Sequence, residues 1–251
     1  MTTPASRRML YEENIPILIA VVAVIALANA FVIAKGLQFS RRLAQVRSQA
    51  GKIGLHPVEP LDRIWQELCR RRFIMMHFSR DYPWAERFLK NPLEGIIEGY
   101  RVVLFDFRFY LKEHAREYQS AVAVVGDDHE FAKFVLFPQK LGNAFSPLRM
   151  IKSALARVHD NISGYCRIED LINGYTLLCP EKSAKLVRSY FNADVLAYFS
   201  ENQKCIVEGS GHHLLVFWKR KLIPAEQVES FINEVIDIRR RFEKAATDGA
   251  V

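Results

Sequence analysis

Four consecutive side chains able to bind a metal stand at Asp127, Asp128, His129 and Glu130. Carboxylates and imidazoles are ordinary ligands of zinc and other divalent cations. Four sequence neighbours cannot all converge on one ion without an unusual loop, and no second cluster accompanies them. The sequence therefore predicts a hydrated turn between two strands, with no metal and no other cofactor.

A histidine pair, His212 and His213, follows the segment Gly209–Gly211, which reads Gly-Ser-Gly. Successive side chains of a strand point to opposite faces, so these imidazoles cannot chelate one ion together. The Gly-Ser-Gly segment lacks the G-x-S-x-G spacing of a nucleophile elbow, and the sequence holds no H-E-x-x-H or phosphate-loop motif. A triad assembled by geometry stays possible. We therefore expect no catalytic residue. A non-enzymatic protein is favoured over an enzyme.

Asp106 lies in the most apolar strand pattern of the chain, between Phe105 and Phe107. A buried carboxyl there would have a raised pKa and would need a basic partner such as Arg101 or Arg108. On a solvated face or in a groove it would be an ordinary carboxylate. The strict alternation of the strand favours this second interpretation. A functional groove at Asp106 and Arg108 is therefore the speculative site within the domain.

These groups need a sheet to position them. Apolar residues recur with a period of two from Leu93 to Glu113, and further strands are predicted at Tyr118–Val125 and at Phe131–Phe137, which ends at Pro138. Together they predict an antiparallel meander. A later hairpin is predicted to turn at the Gly-Ser-Gly segment.

Helices are predicted at Leu61–His77, at Ser146–Ala156, at Pro180–Glu201 and from Pro224 onward. The last helix has acidic residues early, basic residues late and a broad apolar stripe. That stripe consists of Val228, Phe231, Ile232, Val235, Ile236, Ile238 and Phe242. Strands in runs with helices before and after predict an α+β domain over residues 59–246, with an antiparallel sheet covered by helices on one face.

Several short motifs follow one another along the domain in an order that is also found in a family of other proteins. They are carried by Gly95, Gly99, Val102, Phe105, Asp106, Phe109 or Tyr110, Pro138, Asp194, Glu208 and Gly209. In this order the region Pro92–Phe242 resembles a family of uncharacterised bacterial proteins with a single membrane anchor, which is known as a domain of unknown function. The Phe-Arg-Phe stretch departs from the family pattern. The resemblance implies a bacterial membrane protein and supplies no activity.

An uncharged segment, Ile15–Ala34, follows an N-terminal tail of residues 1–14. Twenty helical residues span roughly 30 Å, the thickness of a hydrocarbon core, so the segment predicts a transmembrane helix. A cleaved signal peptide is the alternative, because Ala28-Asn29-Ala30 resembles a cleavage site. Glu12 and Glu13 directly before the apolar run argue against cleavage. Asn29 is a possible contact to another membrane helix.

Residues 35–58 form a basic juxtamembrane segment and linker. Its basic residues, predicted to bind the membrane surface, are Lys35, Arg41, Arg42, Arg47 and Lys52. Only Arg7 and Arg8 precede the anchor, so the positive-inside rule places the C-terminal domain in the cytoplasm, and a bacterial inner membrane is expected. The segment is either a helix that lies along the anionic headgroups of the membrane or a solvated helical stalk.

Charge gives the last indication of function. The net charge of the chain is +7, and Glu12 and Glu13 cancel the two arginines of the tail, so the domain side carries the whole surplus. The domain also contains three basic triplets, Arg70–Arg72, Lys219–Lys221 and Arg239–Arg241. They either strengthen the attraction of the domain to anionic lipid or form an ordinary solvated surface. Nucleic acid is not expected as a partner. The sequence predicts a membrane-tethered module that binds an unidentified protein partner or lipid headgroups, with an unrecognised enzyme or an accessory subunit as alternatives.

Overall fold

The computed structural model describes residues 4–58, 66–68, 89–112, 115–127, 129–138, 164–168, 171–172, 174–202, 205–218 and 221–248. Side chains are described from residue 19 onward, except those of residues 108–118 within the strands. The chain divides into two compact units, Met1–Gln45 and Val46–Val251. The helix predicted at Ser146–Ala156 lies outside the described residues, and of Leu61–His77 only the helical residues 66–68 are described.

Helix α1 extends without interruption from Pro4 to Lys52. Its stretch from Ile19 onward is long and apolar enough to cross a membrane, with a mean hydropathy of 2.2 in its most apolar window. None of that window is buried in the protein. The structure therefore agrees with a helical anchor at the place where the sequence predicts one.

The described residues of the second unit form one antiparallel sheet of nine strands, β1 to β9. The strands are β1 (His56–Pro57), β2 (Leu89–Ile97), β3 (Tyr100–Lys112), β4 (Ala115–Val125), β5 (Phe131–Pro138), β6 (Tyr165–Ile168), β7 (Tyr175–Pro180), β8 (Cys205–Gly211) and β9 (His213–Trp218). Their spatial order is β1-β2-β3-β4-β9-β8-β5-β7-β6. The α+β class with an antiparallel sheet is confirmed.

The predicted meander is only partly correct. Strands β2, β3 and β4 are consecutive neighbours, but β9 pairs with β4 and β8 pairs with β5. The C-terminal hairpin β8–β9 is thus inserted between two strands that follow each other in sequence. Sequence periodicity defines strands and not their neighbours, so this long-range pairing was not predictable from it.

Two glycines allow the close geometry of this sheet. The β2–β3 hairpin turns through Glu98 and Gly99, whose φ angles of 51° and 85° are those of a primed turn, which matches the strand twist. At Gly209 a Cβ atom would lie 2.3 Å from a ring carbon of Phe134.

The predicted turn at Gly-Ser-Gly is shifted, because Gly209–Gly211 belongs to β8 and the chain turns at His212.

Three helices cover one face of the sheet: α2 (Ala184–Ser189), α3 (Ala193–Glu201) and α4 (Val228–Asp248). Short 3-10 turns precede α2 and α4. The predicted single helix Pro180–Glu201 is broken at Asn192, which caps α3 by accepting a hydrogen bond from the Val195 amide at 3.1 Å.

The predicted apolar stripe of α4 is buried at every position. It packs into a continuous core with residues of β3, β4, β5, β8 and β9, where the rings of Phe134 and Phe199 each pack at a tilt against the ring of Phe242. Val46 and Ala50 of α1 and Leu55 after it belong to the same core, which therefore reaches upstream of residue 59.

The opposite face of the sheet is also buried at its centre. All six residues from Val102 to Phe107 are buried, so both faces of β3 are covered. This corrects the prediction of a sheet covered on one face only. The alternation of Phe105, Asp106 and Phe107 predicts an inside–outside pattern, but a strand buried on both faces also tolerates one polar residue when that residue is hydrogen-bonded.

Arg239 of α4 is a buried cation, with 0% of its side chain exposed. Its guanidinium donates to the carbonyl oxygens of Val124 at 2.9 Å, His212 at 2.7 Å and Gly126 at 3.1 Å. Its Nε donates to Glu243 at 2.6 Å. The end of β4 and the β8–β9 turn are thus both bound to one side chain of α4.

Aromatic rings complete the environment of Arg239. The guanidinium carbon lies 5.5 Å from the ring centre of Tyr100 and 5.2 Å from that of Phe131. The hydroxyl of Tyr100 donates to Glu243 at 2.7 Å. Glu243 thus balances the buried charge and is itself held in place from β3.

Replacing Arg239 by Met should destabilise the domain by about 3 kcal/mol, because three buried carbonyl groups and Glu243 lose their donor. For a domain of this size that corresponds to a fall of roughly 6–12 °C in Tm. Thermal unfolding of a fragment of residues 36–251, followed by tryptophan fluorescence, would measure it. R240M is the matched control, since Arg240 is half-exposed and pairs with Glu98 at the surface. Equal effects of the two substitutions would contradict the structural role of Arg239.

Candidate functional site

The apolar surface of α1 is the largest exposed hydrophobic feature of the described residues. Ten of its large hydrophobic side chains have 49–71% of their surface exposed. They are Ile19, Val21, Val22, Val24, Ile25, Leu27, Phe31, Val32, Ile33 and Leu37. Soluble proteins rarely present such a contiguous apolar surface to water, so this surface calls for a lipid environment or another protein.

A basic segment follows this surface on the same helix. Lys35, Arg41, Arg47 and Lys52 are exposed, and Arg42 is half-buried. The ammonium of Lys35 lies 4.7 Å from the ring centre of Phe31, at the border between apolar and charged residues. Lys52 donates to Gln49 at 3.1 Å. The cations of this segment are thus arranged along one continuous helix. Asn29 is exposed, as a contact to another helix would require.

The sheet carries a group of four paired polar side chains, Glu67, Glu94, Arg101 and His213, here called the Glu67 cluster. Arg101 donates from Nη1 and Nη2 to the two oxygens of Glu67 at 2.6 and 2.8 Å, and its Nε donates to Glu94. His213 is 2% exposed, and its Nε2 lies 2.7 Å from Oε1 of Glu67. The cluster joins residue 67 to β2, β3 and β9.

The electrostatics of the cluster keep Glu67 ionised. The hydrogen bond to His213 lowers the pKa of Glu67 from 4.5 to about 2, assisted by Arg101 and opposed by partial burial. A carboxylate held in this way accepts protons poorly at neutral pH. The arrangement is suited to fixing residue 67 on the sheet and not to general base catalysis.

The predicted groove at Asp106 and Arg108 needs correction. Asp106 is 5% exposed and accepts a hydrogen bond from the hydroxyl of Ser120, its cross-strand partner, at 2.7 Å. The same hydroxyl accepts from the amide of Ile223 at 2.9 Å. Asp106 therefore faces the protein interior and not a groove, while the side chain of Arg108 lies outside the described ones. The predicted partner Arg101 is on the other face of β3, because five residues separate them.

The acidic turn and the histidine pair lie at the same end of the sheet. Asp127 and Glu130 are exposed, whereas the ring of His129 packs edge to face on Phe131 and Tyr190 at 4.6 and 5.6 Å. Burial is the main cause that lowers the pKa of His129. The described residues contain no group of three potential metal ligands.

His212 and His213 have different surroundings, because His212 lies in the β8–β9 turn and only His213 lies in a strand. His212 is half-buried, and its carbonyl oxygen accepts a hydrogen bond from Arg239. His213 is buried and belongs to the Glu67 cluster. The sequence did not indicate Glu67 or Glu94, which come from distant segments. Arg101 precedes Val103 and Phe105 by two and four residues, so strand alternation predicts that all three side chains lie on one face of β3. Alternation does not predict which side chains Arg101 binds.

The basic triplet Arg239–Arg241 is not a free charged surface. Arg239 is buried, Arg240 pairs with Glu98 at 2.5 Å, and Arg241 pairs with Asp194 and Asp237 at 2.6 and 2.8 Å. Paired charges attract anionic lipid less than unpaired ones do. The triplet Arg70–Arg72 lies outside the described residues, as do two residues of Lys219–Lys221.

Comparison with known proteins adds one finding. No family model matches the chain, and no curated protein matches it. Among solved structures, the crystal structure of the mycobacterial trehalose monomycolate transport factor A, TtfA, is similar, with a TM-score of 0.51 and 15% sequence identity. The match covers 81% of this chain and 93% of that one. The two chains share a fold.

At such low identity the similarity to TtfA extends to the fold and no further. The resemblance to the bacterial family of unknown function stays a prediction, since no family model supports it. The matching glycines nevertheless have structural roles here, with Gly99 in the β2–β3 turn and Gly209 beneath Phe134.

Replacing Glu67 by Gln should destabilise the domain by about 1–2 kcal/mol at neutral pH, the usual contribution of charge-assisted hydrogen bonds. The folded-state pKa of Glu67 is depressed to about 2, so its stabilisation is present above the unfolded-state pKa of 4.5 and is lost as the pH falls through about 2. The difference in free energy of unfolding between wild type and E67Q should therefore shrink between these two pH values.

Urea unfolding of residues 36–251 across this pH range would measure the difference. E98Q provides a control, because Glu98 is half-exposed and forms a surface pair with Arg240. Its effect should stay below about 1 kcal/mol. A penalty for E67Q that is independent of pH would refute the assigned ionisation of Glu67.

Proposed function

We propose that this protein is a non-enzymatic accessory module, anchored in a bacterial inner membrane by α1, whose domain acts at the cytoplasmic face. The observation that carries the proposal is the exposed apolar surface of α1, followed directly by exposed basic residues. A helix of this kind is stable in lipid, where its backbone groups are paired internally. Of the basic residues, Lys35, Arg41 and Arg42 then lie nearest to the anionic headgroups.

The distance along the chain supports action at the membrane. Val46, the first core residue of the domain, follows Ala34, the end of the apolar run, by a dozen residues. Even a fully extended chain of this length reaches only roughly 40 Å. The domain is therefore confined to the neighbourhood of the headgroups in any backbone conformation, which raises its effective concentration there.

The fold similarity is compatible with an accessory role at a membrane. TtfA is described as a transport factor, and the shared fold makes participation in a membrane-associated transport or assembly process the favoured role for this chain. Arg239 binds backbone carbonyls, and Arg101 binds Glu67, so these buried or partly buried charges have a structural use. Fold similarity by itself does not define chemistry, so no substrate is inferred from it.

A reporter fused after Val251 should show a cytoplasmic C-terminus. Five basic residues follow the anchor and two precede it, so the domain should remain inside. A green fluorescent protein fusion should fluoresce, and an alkaline phosphatase fusion should be inactive. The reverse pattern would refute the orientation. A product about thirty residues shorter on a gel would show that the apolar segment is a cleaved signal peptide.

Neutralising the basic segment should weaken membrane binding. In R41Q/R42Q/R47Q, the affinity of residues 36–251 for vesicles of phosphatidylcholine and phosphatidylglycerol should fall by about 100-fold, since each basic residue near the surface contributes about 1 kcal/mol. Vesicle sedimentation at increasing salt would measure it. The wild-type affinity should decrease with salt, and binding to pure phosphatidylcholine should be weak.

The matched control is K182Q/K185Q/R188Q, which removes the same charge from exposed positions at α2. If net charge governed binding, both triple variants would lose affinity equally. Equal losses, or equal binding to neutral and anionic vesicles, would contradict a headgroup-binding role of the basic segment.

A further inference from the structure

Two cysteines lie opposite each other in the sheet. Cys166 of β6 and Cys179 of β7 are direct cross-strand partners, and their sulfur atoms are 3.5 Å apart. A disulfide requires Cα atoms roughly 4.4–6.8 Å apart, and opposed residues of an antiparallel pair are about 4.5–5.5 Å apart. The backbone of the two strands is therefore already at the separation that a disulfide bond needs.

We propose that Cys166 and Cys179 are a site of reversible thiol oxidation, which closes to a disulfide across β6 and β7 when the protein meets a small-molecule disulfide such as oxidised glutathione. The site is independent of the proposed membrane function. In a reducing cytoplasm the bond would be transient, and in an oxidising compartment it would persist.

The reaction proceeds in two exchanges. The thiolate of Cys166 attacks one sulfur of oxidised glutathione, forms a mixed disulfide and releases one glutathione thiolate, which takes up a proton. The sulfur of Cys179 then loses its proton, attacks the sulfur of Cys166 and releases the second glutathione. Two protein thiols are oxidised and one glutathione disulfide is reduced to two thiols, so atoms and electrons balance.

The surroundings of the two sulfurs decide this order. Cys166 is half-buried on β6, which stands last in the strand order of the described sheet, so an oxidant reaches it first. Cys179 is buried in the core, and burial raises the pKa of its thiol to about 12. A buried thiol with a raised pKa reacts slowly with reagents from solution but can attack a neighbour in contact.

Closure would change the outermost strand and little else. Strand β6 pairs with β7, and its partner residues run from Tyr165 with Pro180 to Ile168 with Leu177. A covalent bond in the middle of this ladder prevents β6 from separating from the sheet. The expected consequence is slower local opening at this edge under oxidising conditions.

The test uses the full-length protein in detergent, reduced first and then incubated with oxidised glutathione. Remaining thiols are blocked with N-ethylmaleimide, and tryptic peptides are analysed by mass spectrometry. Trypsin cleaves after Arg167, between the two cysteines, so a linked peptide pair reports the bond directly. We expect this pair, lighter by two hydrogens than the sum of its peptides, and its loss after dithiothreitol.

Controls separate this bond from general oxidation. C166S should abolish the linked pair, whereas C205A should retain it, because Cys205 lies in β8. Recovery of both cysteines as N-ethylmaleimide adducts after oxidation would overturn the proposal. A glutathione adduct on Cys166 without closure, or a dominant link to Cys69 or Cys205, would overturn it as well.

Discussion

One buried guanidinium connects parts of this domain that are far apart in sequence. Arg239 binds carbonyl groups at the end of β4 and at the β8–β9 turn, and Glu243 and Tyr100 complete its surroundings. A buried cation without partners would be very costly, so α4 must lie where these carbonyls converge. The apolar stripe of α4 supplies most of the packing, but it could slide along the sheet. The directional bonds of Arg239 fix the position.

This constraint explains how the chain tolerates a hairpin in the middle of its sheet. Strands β8 and β9 are inserted between β4 and β5, so each forms long-range pairs that close large loops. Arg239 lies on the helix that directly follows this hairpin, and it holds the β8–β9 turn against the end of β4. Arg239 thus adds a side-chain link between the C-terminal helix and the completed sheet, beside the strand pairing of β9 with β4 and of β8 with β5.

Local patterns in the sequence predicted elements well and burial less well. The strand of Phe131–Phe137 ending at Pro138 and the apolar stripe of α4 follow from periods of two and of 3.6, and both are confirmed. Asp106 shows the limit of such patterns, since alternation does not reveal whether the second face is solvated. Its partner Ser120 comes from the next strand, and register depends on the turn and on the hydrophobic faces of both strands.

The candidate sites were harder to predict than the elements, because charge density in a sequence does not show which charges are paired. The sequences of Arg239–Arg241 and Arg41–Arg42 look equivalent, yet the members of the first group are buried or ion-paired, whereas Arg41 is exposed on the helix that also carries the apolar surface. The Glu67 cluster shows the same limit, since its four members come from four separate segments.

The way in which the domain uses its charges bears on its function. Within the described part of the domain, the buried Arg239 and Asp106 and the partly buried Glu67 each bind a partner and thereby fix a segment of chain. Groups that are hydrogen-bonded in this way in the resting state hold the fold together. The exposed cations of the basic segment differ from them, because they lie beside an apolar surface that calls for lipid. These two uses of charge are distinct, because the hydrogen-bonded groups stabilise the fold whereas the exposed cations accompany an apolar surface of a kind that soluble proteins rarely expose.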